Sequence, residues 1–279
     1  MLLSVSIVVF RPDLPLLVEV LIALQAAAER AHLSRQDLQV SILNNDTADP
    51  VATLLMAKLG MAELAASLNL QIEHSGGNIG YGAANNIAIH RSQAAFHLVL
   101  NPDALVDVDF LVNALAYLQT QPKIALLLPQ VVGFAGEMHY LCKRHPSLFD
   151  LFMRGFAPSW LKRRCQRRMD WFEMREHDYQ AIISPVPYPT GCCMLFRTEV
   201  LQSLGGFDER FFMYLEDADI GRRINQVASS AYVPTCVLQH QWARGSHRQW
   251  RLRWITIKSA FIYWCKWGGV WRGSEDKPL

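Results

Sequence analysis

Three acids stand within four positions at Glu216, Asp217 and Asp219, directly after the aromatic run Phe211, Phe212, Met213, Tyr214. Carboxylates among aromatics are costly to desolvate without a purpose. Adjacent acids of this kind can hold one group as a general base while a neighbour orients a substrate. They also suit the first turn of a helix, where the macrodipole favours negative charge. A fourth acid, Asp103, closes Asn101-Pro102-Asp103 after an apolar run. A carboxylate at a strand tip is a ready ligand for Mg2+ or Mn2+, or else a turn aspartate. His240 follows a late apolar run, where an imidazole could complete a metal site, although a lone histidine is more often structural.

Two further segments could hold a nucleotide. In Asn44-Asn45-Asp46-Thr47 the amides present both donor and acceptor edges to a base, and the same residues form Asx turns unaided. Gly76, Gly77, Gly80 and Gly82 lie among Asn78, Tyr81, Asn85 and Asn86. Glycines permit close backbone approach, and a helix N-terminus after them favours anions. Their spacing is G-x-x-G-x-G, after the third strand-like run rather than the first, which disfavours a dinucleotide-binding dehydrogenase.

Strand and helix signals alternate through the first 130 residues. Strands are expected over 5–10, 38–43, 68–73 and 96–100, and helices over 14–31 (capped by Asp13), 50–59, 83–90 and 110–118. That order predicts an α/β fold with a doubly wound, mostly parallel sheet. Residues 135–180 are basic and aromatic with no clean period. A strand at 192–196, a short helix from Thr198, a turn at Gly205-Gly206, a helix over 217–227, a strand at 231–238 and a helix over 249–267 complete the chain. Ligands of open parallel sheets sit beyond the carboxyl ends of the strands, and the residues above fall just after strand-like runs.

Composition sets the outer bounds. Of 279 residues, 51% are hydrophobic and 19% charged, enough for a sizeable core, and the formal charge is +2. The opening run to Phe10 lacks a basic leader and a cleavage site, so a strand is expected rather than a signal peptide. No apolar run reaches the ~18 residues that span a bilayer. The six cysteines show no C-x-x-C pair and read as reduced core thiols. Residues 242–272 hold six of the eight tryptophans, seven Lys/Arg and no acid. Tryptophan with arginine suits a membrane interface, and the basic run from Lys162 to Arg168 points the same way; an ordinary amphipathic helix and a solvated charge run are the plainer alternatives. Aromatic-basic surface can also bind nucleic acid, but the acidic motifs would repel its backbone, and no such partner is expected.

Taken in order, these segments resemble the family-two inverting glycosyltransferases of the GT-A fold, in their bacterial rhamnosyltransferase-type branch. The matching residues run from Ser6–Phe10 through Asn44–Thr47, Asn78–Gly82, Asn85-Asn86, Asn101–Asp103, Gly191–Leu195, Gly206–Glu209 and Glu216–Asp219 to His240. The resemblance implies a catalytic domain over 1–240, with a nucleotide-sugar half to about 130 and an acceptor half after it, and a helical segment over 241–279. It implies Asp217 as catalytic base, Glu216 beside it, and Asp103 with His240 as ligands of Mg2+ or Mn2+. Asn101 then replaces the first acid of the family's D-x-D element. Phe10, Asn44, Asn45, Asn78, Gly80, Tyr81, Gly82, Asn85, Asn101 and Gly191 would line the nucleotide-sugar site. Asn44 stands where many relatives carry a base-binding aspartate.

The implied activity is inverting transfer of a sugar, with dTDP-rhamnose the first choice of donor and UDP-glucose or UDP-galactose the second. The acceptor would be a saccharide or lipid-linked saccharide in polysaccharide or lipopolysaccharide synthesis, at the cytoplasmic face of the cell membrane. A nucleotidyltransferase would want a Gly-rich basic loop at Phe10-Arg11-Pro12-Asp13. A catalytically dead sugar-nucleotide-binding subunit would not be expected to keep Asp103, Asp217 and His240.

Overall fold

The computed structural model describes residues 1–46, 62–155, 157–240 and 250–268. The expected helix over 50–59, Thr47, and the tryptophans at 242 and 271 lie outside them.

Strand β1 (Leu3–Val9) is buried along its whole length and pairs in parallel with β2 (Leu38–Asn44) and β4 (Phe96–Leu100). β3 (Leu70–His74) joins β2 in parallel. Strands buried on both faces read as continuous apolar runs, as these do. Helix α1 (Leu14–Arg30) starts where the Asp13 carboxylate accepts the Leu16 N–H, with Pro15 in its first turn. Leu17, Val20, Leu21, Leu24, Ala27 and Ala28 form its buried stripe. A short helix α2 (Ala62–Ser67), α3 (Tyr81–Arg91) and α4 (Phe110–Thr120) complete the crossovers.

With β5 at Ala104–Val106, β6 at Ile124–Val132, β10 at Cys193–Arg197 and β11 at Ser229–His240, the strand order is β3-β2-β1-β4-β10-β6-β11-β5. It reverses at β1, so a crevice opens beyond the carboxyl ends of β1, β2 and β4. From there the sheet changes character. β10 runs antiparallel to β4 and to β6, β6 is parallel to β11, and β11 is antiparallel to β5. β6 was not expected from the sequence. Its run Ile124–Leu128 does not alternate, and Pro129 interrupts it. That proline and Pro234 lie where the β6–β11 register shifts, between Val233 and Val237, which is where missing donors are tolerated.

The 135–180 region folds as short pieces: β7 (Met138–His139), β8 (Cys142–Lys143), and helices α5 (Leu148–Gly155), α6 (Ser159–Arg164) and α7 (Gln166–Phe172). β8 pairs with β9 (Tyr188–Pro189) in a second, two-stranded sheet. α8 (Thr198–Ser203) and the acidic helix α9 (Glu216–Val227) pack on the main sheet, and α10 (Trp250–Trp267) lies against the Phe211–Ala218 region. No helix among the described residues is long and apolar enough to cross a membrane. All six cysteines are free thiols, four of them buried. His97 is enclosed between Ser4 and Ser6, and burial pushes it down to about 3, so it stays neutral.

Candidate active site

Helix α9 begins on a bend. Tyr214 and Leu215 both take left-handed φ, 72° and 68°. Such a conformation costs a bulky residue roughly 1–2 kcal/mol. The tertiary structure holds it, because Leu215 is buried with Phe211, Tyr188 and Tyr263, and Ser259 of α10 donates to the Met213 carbonyl at 2.8 Å. The bend delivers Glu216 and Asp217 at the start of the helix.

Asp217 accepts two backbone N–H bonds, from Gly191 at 3.0 Å and from its neighbour Ala218 at 2.8 Å. Burial raises its pKa, while Lys143, those two amides and Arg154 pull the other way. Glu216 is buried, its Oε2 has no hydrogen-bond partner among the described residues, and burial with the Asp217 charge drives its pKa well above the ordinary glutamate value. Two backbone N–H bonds and the nearby Lys143 make Asp217 the member of the pair that favours negative charge, and burial makes Glu216 the one that resists it. Lys143 is fully buried and donates to Thr190 at 2.7 Å; burial and the Arg154 charge lower it to about 7, while Asp217 opposes them.

Tyr81 joins this acid pair to the strand tips. Its hydroxyl donates to the Asn101 side chain at 2.8 Å and lies 3.3 Å from the Gly191 carbonyl. Burial keeps that phenol protonated, and the Asp217 charge adds to the effect. The Asn101 backbone N–H, in turn, donates to the Cys192 carbonyl. Next to it, Asp103 meets His240 at 3.1 Å although 137 residues separate them. The β5–β11 register explains the contact, because it sets His240 opposite Ala104. Asp103 is 34% exposed, so one side of this pair faces open space. A carboxylate and an imidazole with free positions suit a divalent cation whose other ligands are diphosphate oxygens and water. Among the described residues no group of three or more acids, histidines and thiols gathers, so the pair would be the protein's share.

The glycine-asparagine segment turns out to be used internally. A Cβ on Gly80 (φ 98°) would lie 2.5 Å from the Phe212 carbonyl oxygen, and one on Gly82 would lie 2.9 Å from Phe207 Cβ. The Tyr81 N–H at the head of α3 is taken by the Phe212 carbonyl. Asn78 accepts the Gly80 N–H, Asn85 bridges Ser6 and the Tyr81 carbonyl, and Asn86 holds both backbone groups of Phe207. Close approach explains Gly80 and Gly82, whose partner is the segment that leads into α9, whereas Gly76 and Gly77 take positive φ with nothing within 4 Å. Asn44 is fully buried and its Oδ1 accepts the Asp46 N–H, an Asx turn; Asn45 bonds Gly80 and Ser75. Phe10 is 48% exposed at the crevice mouth, with Arg11 over its ring and paired to Asp46.

The sequence reading missed Lys143, Thr190, Tyr188 and Arg154, which all gather around Asp217. They lie on β8, β9, α5 and the residue that follows β9, where basic and aromatic residues read as surface. A lysine beside a cysteine in a two-residue strand carries no local sign of burial.

Comparison with known proteins gives the family and the fold. Residues 24–256 match the family described as Glycosyltransferase like family 2. An N-acetylglucosaminyl-diphospho-decaprenol L-rhamnosyltransferase of Mycobacterium tuberculosis is 29% identical over 197 residues, covering 64% of this chain and 61% of the relative. This chain thus spans less than two thirds of that relative's length. Rhamnosyltransferase WbbL of Escherichia coli is 28% identical over 204 residues, covering 68% and 71%. Among solved structures, a mannosyltransferase from Pyrobaculum calidifontis in complex with GDP-Man and Mn2+ aligns with a TM-score of 0.62 at 18% identity, over 96% of this chain and 65% of that one. Its likeness shows the GT-A fold. With the family matched across most of its length and the fold in agreement, the chain belongs to the glycosyltransferase-like family 2.

Proposed function

We propose that the protein is an inverting glycosyltransferase that moves a sugar from a nucleoside diphosphate to a hydroxyl of a lipid-linked saccharide. The observation that carries this reading is the asymmetric acid pair, with Asp217 favouring the charge and held by Gly191 beside the Tyr81–Asn101 link. In the reaction, the Asp217 carboxylate takes the acceptor hydroxyl proton as that oxygen bonds to the anomeric carbon. The bond from that carbon to the diphosphate oxygen breaks on the opposite face, and the electron pair leaves with the diphosphate. Protonated Glu216 donates rather than accepts, so it orients an acceptor oxygen. A divalent cation at Asp103 and His240 would neutralise the departing diphosphate.

The two rhamnosyltransferase relatives support dTDP-rhamnose as the donor. A UDP-hexose is the second reading, because uracil and thymine present the same N3–H donor and Asn44, in place of a base-binding aspartate, selects neither. The acceptor named for the mycobacterial relative supports a lipid-linked acceptor, and with it a site of action at the inner membrane face. The aromatic outer face of α10 supports peripheral membrane contact: Trp250 and Trp254 are 71% and 63% exposed, with Arg253 between them. A panel of nucleotide sugars in a transfer assay with a saccharide primer tests the reading. Transfer from dTDP-rhamnose is expected, transfer from a UDP-hexose selects the second reading, and hydrolysis or silence with every donor rejects both.

A further inference from the structure

Lys143 has no exposed surface and is among the largest side chains that the fold encloses completely. An ammonium group is costly to bury, and an apolar side chain of similar length would ordinarily fill such a position. Enclosed in this way, it cannot touch a substrate, so whatever it does for the reaction is done through a neighbour. The hydrogen bonds show which neighbour that is.

Strands β8 and β9 are two residues long and pair Cys142 with Pro189 and Lys143 with Tyr188. A ladder so short is weak, and Pro189 brings no N–H to it. Two side chains extend it. Lys143 reaches Tyr188 opposite and Thr190 two residues on, as the alternation of side chains along a strand allows. Its Nζ lies 5.2 Å from the centre of the Tyr188 ring and donates to Thr190 Oγ1 at 2.7 Å. Thr190 Oγ1 donates in turn to the Leu141 carbonyl at 2.9 Å. Leu141 precedes β8 and Thr190 follows β9, so these bonds occupy the next step of the register and close the pairing.

The closed pairing meets the acidic helix at two points. A Cβ on Gly221 would fall 2.2 Å from Pro189 Cδ, so β9 rests directly on α9, four residues beyond Asp217. The amide that joins Thr190 to Gly191 is the one whose N–H donates to Asp217 Oδ2 at 3.0 Å. A Cβ on Gly191 would lie 3.1 Å from Asp217 Cβ, and glycine removes that crowding. Lys143 is thus joined to the acid by contacts alone: Nζ to Thr190, Thr190 through one peptide plane to Gly191, and Gly191 to Asp217. Its charge and that of Asp217 also favour one another.

We infer that Lys143 is a positioning residue of the transfer reaction, setting the Gly191 N–H against Asp217 by holding Thr190 from inside the core. The inference rests on the reading of Asp217 as the base that takes the acceptor proton, and it names what fixes that base.

Single-turnover transfer, a donor titration and a melting curve for each variant make the test. Lys143→Met keeps the length of the side chain and removes its charge. Transfer should slow by about 10- to 100-fold, the effect of a misplacement on the order of 1 Å, while donor affinity is unchanged. The melting temperature should hold or rise, because a packed apolar side chain commonly stabilises more than a buried charge. A lysine that served only the fold would give the reverse, a lower melting temperature with the turnover of folded protein intact. Thr190→Val should lose turnover as Lys143→Met does, and Thr190→Ser, which keeps the hydroxyl, should recover most of it. Those two variants decide the matter if Lys143→Met does not fold. In an Asp217→Asn background, adding Lys143→Met should cost nothing further, since groups that act through one another are not additive. An additive loss in that double variant overturns the proposal. So does full turnover in Lys143→Met or in Thr190→Val, or equal turnover in Thr190→Val and Thr190→Ser. Normal turnover in Asp217→Asn would sink the base reading itself, whereas a lost base beside an unimpaired Lys143→Met sinks only the positioning role.

Discussion

Gly191 donates its N–H to Asp217 Oδ2 at 3.0 Å, and the Gly191 carbonyl lies 3.3 Å from the Tyr81 hydroxyl. One residue thus ties the acidic helix to the glycine-rich segment, and Tyr81 carries the tie on to Asn101. A carboxylate fixed by backbone amides cannot swing away when a substrate enters, which is what positioning a base requires. Glu216, by contrast, has an oxygen with no partner among the described residues. An acceptor hydroxyl would satisfy it.

Asp217→Asn keeps this geometry and removes the base. Turnover should fall by about 10²–10⁴-fold, the usual contribution of a positioned base, with donor affinity nearly unchanged. Glu216→Gln should give a smaller loss. The measurements are single-turnover transfer and a separate donor titration for each variant. Near-normal turnover in Asp217→Asn, or an equal loss of binding and rate, would move the base role to Glu216.

The pH profile should report the same pair. A general base works ionised, so activity is lost as pH falls through its pKa. Burial raises the Asp217 pKa, which moves the acid limb of kcat upward from the position of a free aspartate. Lys143→Met removes a charge that favours ionised Asp217, so that limb should move to higher pH still. A limb at or below the value of a free aspartate would contradict the burial argument.

Asp103→Ala or His240→Ala should each abolish the Mn2+ dependence of nucleoside diphosphate binding. Calorimetry with Mn2+ and with chelator checks it. Affinity that is equal in both conditions for the unsubstituted protein would remove the metal from the site.

How much of this was legible in the sequence differs by residue. The first three strands and α1 were readable because buried parallel strands and a capped amphipathic helix advertise themselves locally. β6 was not, since its apolar run does not alternate and a proline interrupts it. At the site, Asp103 and His240 were readable as chemistry, but their meeting depends on the β5–β11 register, a long-range fact. Asn85, Asn86, Gly80 and Gly82 were readable as unusual, yet their chemistry is spent inside the protein. Lys143 and Arg154 left no sign, because a basic residue in an irregular stretch reads as surface until β8 pairs with β9 and buries it.

Asp219 is expected to matter for the fold rather than for chemistry. It is fully buried and accepts from Arg223 at 2.8 Å, from Lys266 at 2.8 Å and from the Trp267 indole at 2.8 Å. Asp219→Ala strands those donors and should cost on the order of 3 kcal/mol or more. Urea unfolding gives the loss, and limited proteolysis should show α10 cut first. Asp208 bonds Arg210 and Lys266, which hold its carboxyl well below the usual range. A depressed carboxylate contributes stability that is lost as pH falls through its folded pKa, so the Asp208 part of this contact should persist below about pH 4. Full stability in Asp219→Ala would mean that α10 is held by its apolar face alone.

Membrane contact through α10 calls for substitutions that spare this anchor. Trp267 bonds Asp219, and replacing it would test the fold instead of the surface. Trp250 and Trp254 point outward, one turn apart, so they can be removed without touching the core. Two aromatic side chains with neighbouring basic residues favour an anionic surface, at about 1 kcal/mol per Lys or Arg, and salt screens that attraction. The protein should therefore float with anionic vesicles at low salt, float less at 0.5 M salt (a Debye length of about 4 Å), and stay in solution with neutral vesicles. Trp250→Ala with Trp254→Ala should release it while its melting temperature holds. Wild-type protein that never floats, or a double variant that floats as well as wild type, would leave α10 as a packing element whose exposed tryptophans serve another purpose.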